Sequence, residues 1–220
     1  MTILVDVDNT LLDFDECANE SITNACALFG IENPTELCKK FHPYNLSLWQ
    51  QLERGELTID ELLEKRFNTL FKTLGINADG VAFEKSFHDG LATSAVAVDG
   101  AKELLEYLSS KHTLYVASNA PLGQQTKRLA KAGFDKYISG YFVSAEIGHL
   151  KPNKEFFDAC FAVIKEKPQD VFMIGDSLTA DINGARNYGL KTIWFDKYQT
   201  GKTADCDYIV TSLSQIKDIV

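Results

Sequence analysis

The sequence predicts a doubly wound α/β domain on a parallel sheet, interrupted after its first strand by a purely helical insertion. Three observations lead there. The chain opens on an apolar run, Ile3-Leu4-Val5, that leads straight into Asp6-Val7-Asp8. From Val98 onward, short β-prone runs alternate with helix-patterned stretches. Between these, residues 15–92 show apolar spacings of three and four and no strand pattern. Alternating strands and helices imply right-handed crossovers on a parallel sheet.

Each element follows from local chemistry. Ile3, Leu4 and Val5 suit a strand buried on both faces. Residues two apart on a strand share a face, so Asp6 and Asp8 would crowd if it continued. The strand therefore ends near Asp6, and Asp8 falls on the turn beyond. Residues 15–29, 46–52 and 59–74 read as amphipathic helices, as do residues 78–91. Gly30, Asn33-Pro34, Gly55 and Gly75 separate them, and Thr58 with Glu61 forms a capping box. Asp99-Gly100 then opens a helix to Ser109, and residues 113–117 (T-L-Y-V-A) are a strand. A helix over 123–132 ends at Gly133, followed by a short strand at 141–144, a helix over 153–165 and a strand at 171–174. A helix over 178–188 stops at Gly189, before strands at 191–195 and 208–210 and a closing helix at 213–220. The expected organisation is a core of residues 1–14 and 93–220 carrying a helical domain of residues 15–92.

Composition narrows the function. The 220 residues are 45% hydrophobic, enough for one substantial core with an insertion. A formal charge of −9 argues against a nucleic-acid polymer as partner, since that surface needs clustered Lys and Arg. The N-terminus lacks the basic and apolar regions of a signal peptide, and no apolar run reaches membrane-spanning length. Five scattered cysteines form no C-x-x-C pair and fit reduced thiols in a cytoplasmic protein. The four histidines have no metal-ligand spacing.

The residues that carry chemistry follow strands. Asp6 and Asp8 follow the first, and Ser118-Asn119 the second. Lys151-Pro152 lies in the loop beyond the third. Gly175-Asp176-Ser177 follows the fourth, with Asp181 on the helix behind. In an open α/β sheet these positions share one rim, where ligands bind. Four carboxylates beside one lysine repel unless a cation joins them. Oxygen ligands without His or Cys point to Mg²⁺, which also accepts substrate phosphate oxygens. Aspartate is a competent nucleophile for phosphoryl transfer, and small donors such as Ser118 and Asn119 suit the equatorial oxygens.

This pattern of D-V-D-N-T at Asp6–Thr10, A-S-N at Ala117–Asn119, K-P at Lys151-Pro152 and G-D-S-L-T-A-D at Gly175–Asp181 resembles the haloacid dehalogenase-like hydrolase superfamily. The resemblance implies a Rossmann-like core with a helical cap, and an Mg²⁺-dependent phosphomonoester hydrolase working through an aspartyl-phosphate. Asp6 would be the nucleophile and Asp8 the general acid/base. Asp6, the Asp8 backbone carbonyl and Asp176 would hold the metal, while Ser118, Asn119 and Lys151 would bind phosphate. Asp181 and Thr10 would support these from a second layer. Dehalogenases of the superfamily lack an acid at the place of Asp8, because a halide leaves without a proton. Asp8 therefore favours a phosphatase.

Within the insertion, Asn45-Leu46-Ser47-Leu48-Trp49, Gly55-Glu56-Leu57-Thr58 and Arg66-Phe67 resemble the cap of house-cleaning pyrimidine 5′-nucleotidases, as does Lys151-Pro152-Asn153-Lys154 with Phe156-Phe157 in the core. That implies a nucleoside monophosphate substrate and a monomer or homodimer. Sugar-phosphate or phosphoglycolate-type phosphatases, phosphomutases and a phosphoryl-accepting regulatory protein are the alternatives.

Simpler readings exist for single motifs. Asp176-Ser177 before a helix is also an N-cap, and Asp181 a favourable first-turn charge. Their joint occurrence after successive strands argues for function. An EF-hand reading of Asp6–Thr10 fails, because Leu11 holds the glycine position and Cys17 that of the bidentate Glu. Tyr44, Trp49, Phe67, Phe71, Phe83 and Phe87 at helical spacing are expected as core before base-stacking groups, and His42 and His88 are no better placed as substrate contacts. Lys127, Arg128 and Lys131 are expected to form a solvated helix face.

Overall fold

The computed structural model describes residues 1–220. Six strands, β1 (Thr2–Val5), β2 (Thr113–Ser118), β3 (Gly140–Val143), β4 (Phe172–Gly175), β5 (Lys191–Phe195) and β6 (Tyr208–Val210), form one parallel sheet in the order β3-β2-β1-β4-β5-β6. The helices, in chain order, are α1 (Phe14–Phe29), α2 (Pro34–Glu53), α3 (Ile59–Leu74), α4 (Gly80–Leu91), α5 (Ala101–Ser109), α6 (Leu122–Ala132), α7 (Ser144–Ile147), α8 (Lys154–Val163) and α9 (Gly184–Tyr188). The chain divides into two compact units, Met1–Asp13 with Val96–Val220, and Phe14–Ala95. No helix is long and apolar enough to cross a membrane.

In the sheet-bearing unit, β1 is central and has no exposed face. Ile3 and Val5 join one layer with Leu104, Leu105 and Leu108 of α5. Leu4, on the opposite face, packs with Phe156, Phe157 and Cys160 of α8. Burial on both faces is why this strand reads as an unbroken apolar run. Beyond Asp6 the chain turns sharply. The Val7 carbonyl accepts from the amides of Thr10, Leu11 and Leu12, at 3.3, 2.9 and 2.9 Å. Asn9 takes the left-handed conformation this requires, with φ of 59°, a region asparagine tolerates better than most residues. The outgoing and returning passes then pair, Asp13 N to Val96 O at 2.8 Å and Val98 N to Leu11 O at 3.0 Å.

The helical unit buries an aromatic core. Phe67 lies 4.6 Å from Phe83 and 5.2 Å from Phe87, ring centre to ring centre. Inside that core the Arg66 guanidinium pairs with Glu84 through two hydrogen bonds and donates to Asn45 Oδ1 at 2.8 Å. It also lies over the Phe87 ring, 5.0 Å from its centre. Helix α3 has the expected bounds, with both halves of the Thr58–Glu61 capping box formed.

Ser144, expected to end the third strand, opens the short helix α7, and three further elements depart from the sequence expectation. Helix α2 starts at Pro34 and not at Leu46. Asn33-Pro34, which looks like a break, is an N-cap followed by proline in the first turn, where its missing N–H costs nothing. Leu37 and Phe41 continue the buried stripe, and the helix runs through Pro43, which is exposed. The stretch 178–188 is a π-helical turn, Leu178–Asn183, followed by the short α9. The chain closes on a 3₁₀ segment, Leu213–Asp218.

Candidate active site

A parallel sheet delivers every strand's carboxyl end to the same edge, and β1 lies between β2 and β4 where the winding reverses. Asp6 follows β1, held by its amide on Ile174 O at 2.9 Å. Ser118 ends β2, Lys151 arrives on the loop after α7, and Asp176 follows β4. All meet at this edge.

Lys151 is the hub. Its Nζ donates to Asp6 Oδ1 at 2.8 Å, Asp181 Oδ1 at 2.6 Å and the Ala117 carbonyl at 2.5 Å. An ammonium has three donors, so all are committed. Asn119 pins the lysine's backbone from both sides: its Nδ2 donates to Lys151 O at 3.0 Å, and its Oδ1 accepts from Lys151 N at 2.9 Å. The Asn119 amide, expected to face phosphate, is thus occupied in placing Lys151. The bond from Lys151 to Pro152 is cis. Asp181 is itself locked, because its Oδ2 accepts from Ser177 N at 3.1 Å.

The electrostatics are those of buried, crowded carboxylates. Burial, opposed by Lys151 and aided by the Asp181 and Asp8 charges, pushes the Asp6 carboxyl up to about 7. Burial and the charges of Asp6 and Asp181 push Asp176 well above the usual carboxylate range. Burial pulls Lys151 down, but Asp181 and Asp6 outweigh it and raise its pKa above an ordinary lysine's. Oxygens of Asp6, Asp176 and Asp181 lie within 4.8 Å of one another. One lysine does not offset that crowding, and the donor set is entirely carboxylate. A hard divalent cation such as Mg²⁺ fits these residues.

Ser118 is only 2% exposed. Its Oγ accepts from Ala120 N at 3.1 Å and from Gln125 Nε2 at 3.0 Å. Both acceptor positions being filled, its O–H is left to donate, the polarity an anionic ligand needs.

Asp8 has partners that the sequence reading missed. Arg128 Nη1 donates to its Oδ1 at 2.5 Å, and Gln125 Nε2 to its Oδ2 at 2.7 Å. Arg128 was expected on a solvated face with Lys127 and Lys131. The lysines are exposed, but Arg128 is fully buried. The inward face of α6 consists of Gln124, Gln125, Arg128 and Leu129, a helical stripe made mostly of polar residues. A hydrophobicity pattern cannot display such a face; the i, i+3 spacing of Gln125 and Arg128 was its only trace.

Other candidates separate from this group. Thr10 is fully buried, and its hydroxyl has no hydrogen-bond partner. Lys197, also missed, donates to Asn9 Oδ1 and Asp13 Oδ1, each at 2.8 Å, and braces the turn after β1. Phe67, Phe71, Phe83 and Phe87 are core residues of the helical unit. His42 engages Asn19 at 2.8 Å and Asp15 at 3.1 Å.

Residues 1–189 match the family of haloacid dehalogenase-like hydrolases. The chain is 34% identical over 201 residues to the pyrimidine 5′-nucleotidase PynA of Streptococcus pneumoniae, covering 89% of this chain and 84% of that protein. It is 26% identical to the pyrimidine 5′-nucleotidase YjjG of Escherichia coli, over 99% of this chain and 96% of that one. A crystal structure of the HAD-hydrolase YfnB of Bacillus subtilis, bound to magnesium and described as revealing interdomain movement, superposes with a TM-score of 0.92 at 32% identity, covering 99% of this chain and 97% of that one.

Proposed function

The chain belongs to the haloacid dehalogenase-like hydrolases, and on that premise we propose that it is an Mg²⁺-dependent phosphomonoesterase whose substrate is a nucleoside 5′-monophosphate, with pyrimidine nucleotides preferred. The observation that carries the reading is Asp6, held at one oxygen by Lys151 beside a carboxylate cluster at the sheet edge. The nucleotide preference rests on the likeness to the two pyrimidine 5′-nucleotidases. Five free cysteines suit a reducing compartment such as the cytoplasm.

Lys151 occupies Asp6 Oδ1 and leaves Oδ2 for attack on phosphorus. As that bond forms, the bond from phosphorus to the ester oxygen breaks, and Asp8 gives its proton to the departing alkoxide. The Asp8 carboxylate then takes a proton from water while the hydroxide attacks the aspartyl-phosphate. The bond from phosphorus to Asp6 breaks, releasing inorganic phosphate and restoring both aspartates. The Ser118 hydroxyl donates to a phosphoryl oxygen, and the Lys151 charge offsets repulsion between phosphate and Asp6. Asp6, Asp176 and the Asp8 carbonyl would hold Mg²⁺, which, when bound, supplies positive charge against the phosphoryl oxygens. Asn119 and Asp181 act by holding Lys151.

The test is release of phosphate, with Mg²⁺, from a panel of nucleoside monophosphates and sugar phosphates. Asp6→Asn is expected to abolish turnover of every ester with the fold retained. Substantial Mg²⁺-dependent activity in that variant would overturn the proposal, and a preference for sugar phosphates would overturn its substrate class.

A further inference from the structure

The Asp8 carboxylate is held at both oxygens by one helix. Gln125 and Arg128 lie three residues apart on α6, on the same face, and both are fully buried. Arg128 takes Oδ1 and Gln125 takes Oδ2, while Arg128 Nη1 also donates to Gln125 Oε1 at 3.2 Å. Donors at both oxygens fix the rotation of the carboxylate plane as well as its position. A guanidinium removed from water is costly unless paired, so the arrangement resists loosening.

The Gln125 amide does a second thing. The same Nε2 that donates to Asp8 donates to Ser118 Oγ. One planar group thus sets the spacing between the serine that meets phosphate and the aspartate that moves the proton.

We propose that Gln125 and Arg128 are positioning residues for proton transfer by Asp8, and that Gln125 aligns this transfer with the phosphate held by Ser118. The inference rests on the phosphomonoesterase reading above. Neither residue needs to touch substrate; both act through the orientation of Asp8. Their loss should matter most where the leaving group must be protonated.

The experiment compares full-length Q125A, R128M and R128K with the unaltered protein, in Mg²⁺, on a pyrimidine nucleoside 5′-monophosphate and on 4-nitrophenyl phosphate. The aryl oxide leaves without a proton, whereas the nucleoside alkoxide does not. In R128M, kcat/KM for the nucleotide should fall by about ten- to a hundredfold more than for the aryl ester. Q125A should show the same bias, and R128K a smaller one. With the aryl ester, kcat and KM should fall together as aspartyl-phosphate accumulates, because water activation also needs Asp8. In a D8N background, R128M should add no further bias between the esters. Equal losses on both esters, or none, would overturn the inference while leaving the phosphatase reading standing. An unaltered protein inactive on both esters would overturn both. Independently of activity, crystal structures of R128M and Q125A should show the Asp8 carboxylate rotated, and an unmoved carboxylate in both would overturn the proposal.

Discussion

Asp181 presses directly against the backbone of Gly175: a methyl group on residue 175 would stand 2.1 Å from Asp181 Oδ2 and 2.4 Å from its carboxyl carbon. Neither side of that contact can yield easily. Gly175 belongs to β4, paired with β5, and Asp181 is tied to Lys151 and to Ser177 N.

Gly175→Ala should therefore displace Asp181 and, through it, Lys151. Expected are a stability loss of about 1–3 kcal/mol, typical of overpacking, and a fall in kcat of at least about a hundredfold, as for a misplaced catalytic group. Thermal unfolding and steady-state kinetics check both.

Lys151→Met removes the one cation between Asp6 and Asp181 and leaves buried carboxylates unpaired. Breaking such a pair from one side costs about 3–5 kcal/mol. The variant should be inactive. It should also gain more in unfolding temperature from added Mg²⁺ than the unaltered protein, since the cation then replaces a missing charge. Differential scanning fluorimetry with and without Mg²⁺ measures this.

Stability of the metal-free protein should fall as pH rises. Burial lifts Asp6 to about 7, above its ordinary 3.8. A carboxyl raised on folding holds its proton more tightly in the folded state, so its contribution is present in acid and lost as pH rises through the folded value. Unfolding temperatures measured between pH about 5 and about 8 in a chelator should decline. Mg²⁺ should restore most at the alkaline end, where it replaces a proton.

In the helical unit, Arg66→Met alone should cost about 3–5 kcal/mol, because Glu84 is then buried without a partner. Replacing both, as Arg66→Met with Glu84→Leu, should recover most of that loss. A double-mutant cycle by chemical denaturation checks the coupling.

Sequence was most informative where chemistry followed a strand. Asp6, Ser118 and Asp176 each stand directly after a short apolar run, and the parallel sheet places such residues at one edge whatever the details of packing. Lys151 and Asp181 were legible through their place in that order. Arg128 was hidden for the opposite reason. It lies between Lys127 and Lys131 on a helix, and only the packing of α6 decides which cation faces inward. Asn119 was legible as a site residue but its task was not, since nothing in A-S-N says that both ends of the amide are taken by the Lys151 backbone. The first half of helix α2 is hidden in the sequence because Asn33-Pro34 carries the same letters as a loop, while Leu37 and Phe41, one turn apart, reveal continuity only once burial is known.

The central place of β1 has a consequence for how the protein comes into being. Thr2 pairs with Thr113, and Ile3 with Phe172, so β1 is synthesised more than a hundred residues before either of its neighbours. Such distant pairings make folding slow. The helical unit, by contrast, is one continuous stretch, Phe14–Ala95, and its contacts can form while the N-terminal strand waits. Until β2 and then β4 arrive, Ile3, Leu4 and Val5 lack their strand neighbours and are a sticky segment of the kind that chaperones guard. Activity should then appear in a single late step during refolding, with no partly active intermediate before it.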